Sequence, residues 1–292
     1  MWISSPADKG VLFMDRHITL LDGAMGTSLW ALTEDKQPVW RYNMLAPDLV
    51  HQVHRDMIAA GADMILSNTF GANGPEVKRT AYTVEQAVRE GMAIAKDAAQ
   101  GKAKVLLDIG PLTGLLEPYG DIEEDECEEI YAQMLEAGVK EQPDGIFLET
   151  FIDLNMLSVA ARCAVRYDLP LYLSMSFEKV GKTMMGNSVC DMVEALAPLH
   201  PAALGLNCSM GPELCLPVLK AFRQHTDLPL LFKPNAGLPQ MVDGKAVSPY
   251  TPEMFGRDMT PALAYASFVG GCCGTTCAHI AALRDVVRHE QG

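Results

Sequence analysis

Eight short apolar runs recur along the 292-residue chain, each followed by a stretch long enough for an amphipathic helix. This alternation constrains the fold more than any other feature of the sequence. The runs occupy residues 18–21, 64–66, 105–107, 146–148, 171–173, 203–206, 230–232 and 268–269. Each is bounded by turn-forming or charged residues, as expected of strands buried on both faces. The segments at 47–60, 84–99, 123–140, 154–167, 188–199, 212–225 and 277–288 carry apolar residues at helical spacing. Eight strands alternating with helices over this length predict a (β/α)₈ TIM barrel, one domain spanning 1–292 with residues 1–16 as an N-terminal extension. The stretch 236–265 is the weakest unit; it is rich in Pro and Gly and reads as a loop with one or two short helices. A doubly wound open sheet is the alternative architecture. No GxGxxG follows the first run, so nothing indicates a dinucleotide site.

The residues just past each run are polar, Gly or Cys. They are Asp22; Ser67, Asn68 and Thr69; Asp108 and Gly110; Glu149 and Thr150; Ser174 and Ser176; Asn207 and Cys208; Lys233 and Asn235; and Gly270, Gly271, Cys272 and Cys273. In a barrel all of these gather on the C-terminal face, where such enzymes keep their active sites. Polar ends on every strand are a poor way to build only a core, so the pattern predicts one site fed by most strands.

Charge narrows the partners. A net charge of −14 leaves little basic surface for a nucleic-acid backbone or an anionic membrane. No apolar run approaches the roughly 18 residues of a spanning helix. Residues 1–16 contain Asp8 and lack the basic start and apolar block of a signal peptide. These features predict a soluble, cytoplasmic enzyme.

The eight cysteines fit that compartment better as metal ligands or catalytic groups than as disulfides. Cys127, Cys163, Cys190 and Cys215 fall on predicted helices and read as packing residues. Cys208 ends the sixth predicted strand, and Cys272 and Cys273 end the eighth, so their sulfurs can converge. Three thiolates suit Zn²⁺ with a fourth position open, the catalytic rather than the structural arrangement. Gly270 and Gly271 are expected to bend the backbone so that consecutive cysteines both turn inward, which a regular strand forbids. The alternative is that these cysteines are small buried hydrophobes. A trithiolate zinc centre carries net charge −1. It is a poor activator of water but suits an incoming thiol, whose ordinary pKa is about 8.5. The implied reaction is alkyl transfer to a thiol by in-line displacement.

The stretches LLDGAMGT (20–27), SNTFGAN (67–73), DIGPLTG (108–114), LETFID (148–153), GLNCSMGPE (205–213), KPNAGLP (233–239) and GGCCGTT (270–276) span nearly the whole chain. In them the chain resembles the homocysteine S-methyltransferases, in particular the homocysteine-binding barrel of cobalamin-dependent methionine synthase. The resemblance implies one zinc per chain on Cys208, Cys272 and Cys273. It offers the Asn235 side-chain oxygen as a fourth ligand displaced by substrate sulfur; the other reading of Asn235 is a turn residue before Ala236 and Gly237. It also places the amino-acid end of L-homocysteine near Asp22 and Glu149. Two carboxylates at strand ends can hold an ammonium group, and backbone N–H groups at Gly23, Ala24 and Met25 can meet the carboxylate. Ser67 and Thr69 are weaker candidates for the same end. Without the resemblance, Asp22 reads as a turn or cap residue and Glu149 as part of a rim salt bridge.

The methyl donor implied is methylcobalamin or another methylcorrinoid on a separate protein. PNAGLP, NCSMGPE and DIGPLTG look more like methionine synthase than like the enzymes that use S-methylmethionine, and 292 residues leave no room for folate and cobalamin domains. The same barrel fed by S-methylmethionine or betaine, and a non-catalytic thiol-binding module, are the competing readings. One departure is Cys277, which stands where the family usually has Pro after GGCCGTT; it is not assigned as a ligand. The acidic run 121–129 reads as a solvated helix start, with a docking surface for a corrinoid partner as the sharper alternative. His51, His54, His200, His225 and His279 have no ligand-like spacing.

Overall fold

The computed structural model describes residues 17–178, 180–238, 240–242 and 245–291; the expected N-terminal extension lies outside them. The strands, in chain order, are β1 (Thr19–Leu20), β2 (Met64–Leu66), β3 (Lys104–Ile109), β4 (Gly145–Phe151), β5 (Leu171–Met175), β6 (Ala203–Cys208), β7 (Leu230–Pro234), β8 (Gln240–Val242), β9 (Lys245–Val247) and β10 (Phe268–Val269). Eight of them form one parallel sheet in the order β1-β10-β7-β6-β5-β4-β3-β2. A parallel bridge between Leu21 and Met64 joins β1 to β2 and closes the ring. The architecture is therefore the expected (β/α)₈ barrel, and closure rules out the open sheet.

Helices follow the strands where the periodicity placed them. Pro47–Ala60, Val84–Ala99 and Pro212–His225 have the expected bounds, and Glu124–Val139, Leu154–Ala164, Val189–Leu196 and Cys277–Gln291 differ from them at the ends. Local chemistry sets these starts. Thr83 Oγ1 accepts from the Gln86 N–H at 3.1 Å and Ser188 Oγ from the Asp191 N–H at 3.2 Å, each completed as a capping box. Pro47 and Pro212 stand in first turns, where no N–H is needed. The stretch after β7 holds the expected short helix, Pro252–Met259, but also an antiparallel β8–β9 hairpin that was not expected.

Two cores result. The larger one lies between strands and helices. The smaller one, inside the barrel, consists of Leu21, Met64, Leu66, Leu106, Phe147, Tyr172, Ala203 and Leu231. Side chains two residues apart on a strand share a face. One such step toward the C-terminal ends from Leu106, Phe147, Tyr172 and Leu231 reaches Asp108, Glu149, Ser174 and Lys233, and two steps from Ala203, past Gly205, reach Asn207. A polar layer thus caps the apolar filling of the barrel.

Candidate active site

That polar layer is buried and internally paired. Lys233, only 2% exposed, donates to Asp22 Oδ1 at 2.9 Å, while Asp22 Oδ2 accepts from the Leu66 N–H at 2.8 Å. Burial opposes the charge on Lys233, but the Asp22 and Glu149 carboxylates outweigh it and keep the ammonium protonated. Burial pushes the Glu149 carboxyl up to about 7, against the pull of Lys233. Asp108 is driven well above the usual carboxylate range by burial and then by Glu149. Its Oδ1 is buried without a hydrogen-bond partner. One cation therefore faces three carboxyl groups, a set that would gain from a second cation.

Asn207, fully buried at the end of β6, organises the next part. Its Oδ1 accepts from the Thr150 N–H at 2.8 Å and from the Ser174 hydroxyl at 2.7 Å. Its Nδ2 faces Thr150 Oγ1 at 2.7 Å, Glu149 Oε2 at 3.2 Å and Cys272 Sγ at 3.7 Å. Thr150 (φ +64°), Cys208 (φ +61°) and Ser209 (φ +68°) all adopt the left-handed region. For non-glycine residues this is a costly conformation that persists only where surrounding contacts impose it.

The three expected cysteines come together. The sulfurs of Cys208, Cys272 and Cys273 lie within 4.8 Å of one another, the one group of three or more Cys, His, Asp and Glu side chains suited to an ion among the described residues. Cys208 Sγ and Cys273 Sγ are 4.0 Å apart. Hydrogen bonds from the Cys272 and Cys273 thiols pull the Cys208 pKa far down, and the same sharing pushes the other two up. The consecutive cysteines face one way because of a turn: the Thr275 N–H donates to the Cys272 carbonyl at 3.0 Å, with Gly274 at φ +80°. Gly270 and Gly271, expected to provide that bend, serve close approach instead. A Cβ on Gly270 would lie 2.8 Å from the Asp22 carbonyl oxygen, and one on Gly271 would lie 2.5 Å from Thr275 Oγ1.

Asn235 sits beside this cluster, its side chain within hydrogen-bond reach of Cys208. Its Nδ2 donates to the Ser209 carbonyl at 3.1 Å, and its backbone N–H to Met210 O at 2.9 Å. Its Oδ1 is buried with no partner. Three soft sulfur donors with an orphaned amide oxygen alongside fit a tetrahedral thiophilic ion such as Zn²⁺.

A cavity of about 220 Å³ joins the sulfur cluster to the carboxylate layer. Asp22, Gly23, Ala24, Met25, Ser67 and Glu149, all expected at the amino-acid end, line it, as do the three cysteines. Thr69 is not among the lining residues; its hydroxyl donates to the Asp108 carbonyl at 2.6 Å and lies 2.7 Å from Ser67 Oγ, a step behind the wall. The Ala24 N–H is already used, by Thr275 Oγ1 at 3.1 Å. Helix Met25–Leu32 starts at this wall with no side-chain cap. Lys233, Asp108 and Asn207 were visible in the sequence only as strand-end residues; period two from the barrel's apolar layer is the signal that singles them out. The acidic run opens helix Glu124–Val139, where Glu124 pairs with Arg162 and Glu128 with Arg166 on the neighbouring helical segment. It is thus an ion-paired helix start.

Residues 19–287 match the family model described as homocysteine S-methyltransferase. The chain is similar to the methionine synthase of Mycobacterium tuberculosis, 31% identical over 311 aligned residues that take in 95% of this chain and 26% of that protein. It is also 31% identical to the methionine synthase of Mycobacterium leprae, over 91% of this chain and 24% of that protein. It therefore spans about a quarter of the length of these curated relatives. Among solved structures, its fold is similar to the metallated homocysteine methyltransferase MmuM from Escherichia coli. The TM-score is 0.76 at 23% identity, covering 92% of this chain and 96% of that one.

Proposed function

The chain belongs to the homocysteine S-methyltransferase family, and on that premise we propose that its barrel mouth methylates the thiol of L-homocysteine to give methionine. The observation that carries this reading is the continuity of one cavity from the Cys208–Cys272–Cys273 cluster to the Glu149 layer. A substrate with a thiol at one end and an ammonium carboxylate at the other matches both.

Cys208, Cys272 and Cys273 would hold one zinc ion, with Asn235 Oδ1 as the fourth, replaceable ligand. When bound, zinc supplies a positive centre that lets an incoming thiol lose its proton near neutral pH while its sulfur stays nucleophilic. The protein positions the rest. Glu149 accepts the substrate ammonium group, and the arriving charge favours ionisation of a carboxyl that burial holds near 7. Asp22 adds negative charge nearby, but its oxygens are engaged by Lys233 and the Leu66 N–H, so Glu149 carries the direct contact. The substrate carboxylate meets the Gly23–Met25 wall, where the positive end of helix Met25–Leu32 favours an anion. Ser67 lines the same end; because the Thr69 hydroxyl donates to the Asp108 carbonyl, Ser67 gives its own hydrogen to Thr69 Oγ1 and can meet the substrate only as an acceptor, toward the ammonium group. In the transfer itself, a new sulfur–carbon bond forms as the donor–methyl bond breaks, and the donor keeps the electron pair.

The donor in this reading is a methylcorrinoid such as methylcobalamin, carried outside the barrel on a separate protein. The 31% identity to methionine synthases supports it, as do the PNAGLP and NCSMGPE stretches. The test mixes the purified protein with homocysteine and either methylcobalamin, S-methylmethionine or betaine. Methionine is expected from methylcobalamin. Turnover with only a sulfonium or ammonium donor would replace the corrinoid reading. Homocysteine binding without turnover from any of the three, or from a methylated corrinoid protein, would favour a thiol-binding module.

A further inference from the structure

Asn207 stands between the two ends of the cavity and touches both. Its Nδ2 carries two hydrogens, yet three acceptors surround it: Thr150 Oγ1, Glu149 Oε2 and Cys272 Sγ. Its Oδ1 faces two donors, the Thr150 N–H and the Ser174 hydroxyl. The amide orientation is therefore fixed, because a flip would set Nδ2 against the Thr150 N–H. Glu149 stands on β4 and Cys272 follows β10, four positions apart in the strand order, with β6 between them. One fully buried amide thus spans the gap between the carboxylate layer and the sulfur cluster.

We infer that Asn207 is a positioning residue that couples the two ends, orienting the Glu149 carboxylate toward the substrate ammonium and the Cys272 sulfur toward the metal through one pair of N–H groups. The inference rests on the proposed function. Outer partners of this kind commonly change metal affinity by about 10- to 100-fold when removed, because a buried donor holds the ligand in one orientation and tempers its charge. Here the same donor is shared with the substrate's carboxylate partner. Disturbing it should move metal retention and substrate affinity together, whereas a residue that serves only packing would lower thermal stability and leave both unchanged.

The experiment compares the wild-type, Asn207→Ala and Ser174→Ala proteins, each loaded with zinc. It reads zinc release to a chromophoric chelator, KM and kcat for homocysteine, and the melting temperature. In Asn207→Ala, zinc release is expected to quicken by about tenfold and KM to rise by a similar factor, with KM moving more than kcat. Ser174→Ala removes one of the two donors that hold the amide but leaves every atom of Asn207 in place. It should move both quantities in the same direction, by roughly two- to threefold. If Asn207→Ala fails to fold, Ser174→Ala decides. A folded variant in which zinc release and KM both stay at wild-type values, or in which only one moves, overturns the coupling. A wild-type protein that neither retains zinc nor turns over homocysteine refutes the proposed function, and the coupling with it.

Discussion

Lys233 and Asp22 form an ion pair with side chains only 2% and 5% exposed. Removing one partner of such a pair strands the other charge in a low-dielectric interior. Lys233→Met should therefore cost about 3–5 kcal/mol, and adding Asp22→Asn should restore part of it; thermal melts of the single and double variants measure this. Glu149 gives a pH prediction. Its carboxyl is raised to about 7 and must be ionised to hold an ammonium group. Binding of the product methionine, which has no thiol proton to lose, should tighten as pH rises through 7 and level off above it. Calorimetry should show proton release on binding below that pH, and Glu149→Gln should bind weakly with a flat profile. Cys208→Ala or Cys273→Ala should lose the metal, leaving well under one zinc per chain by metal analysis.

The strands and the turns after them are the elements that make the site, and they differ in how plainly the sequence announces them. All eight barrel strands and seven helices were legible, because a run buried on both faces and a helical stripe each leave their own periodicity. The convergence of Cys208, Cys272 and Cys273 was legible too, from strand order in a closed barrel. Lys233 was not, because a lysine just past a strand reads as solvent-facing until the parity of Leu231 shows that it points inward. The source of the cysteine bend was misplaced for a similar reason: a Gly-Gly pair suggests conformational freedom, yet Gly274 is the one with positive φ. Gly274→Ala should therefore be more damaging than its small size suggests. An L-residue there is strained by about 1 kcal/mol or more, and its Cβ would lie 1.9 Å from Ser248 Oγ. Zinc retention should fall along with the melting temperature. Unchanged zinc retention would show that the turn does not set the position of Cys273.

At the scale of the whole molecule, the first and last barrel strands are neighbours, β1 paired in parallel with β10. The site therefore draws on both ends of the described chain: Asp22 follows β1, and Cys272 and Cys273 follow β10. Assembly of the site and closure of the barrel should be one event. Stripping zinc with a chelator should lower the midpoint of a single unfolding transition, as expected when a ligand binds only the folded state. X-ray absorption at the zinc edge, with and without homocysteine, reads the proposed thiol-activating centre most directly. The expected spectrum shows three sulfur neighbours at about 2.3 Å and one lighter atom, with the lighter atom replaced by a fourth sulfur when homocysteine is added. A zinc shell without three sulfurs, or one that homocysteine leaves unchanged, would contradict it.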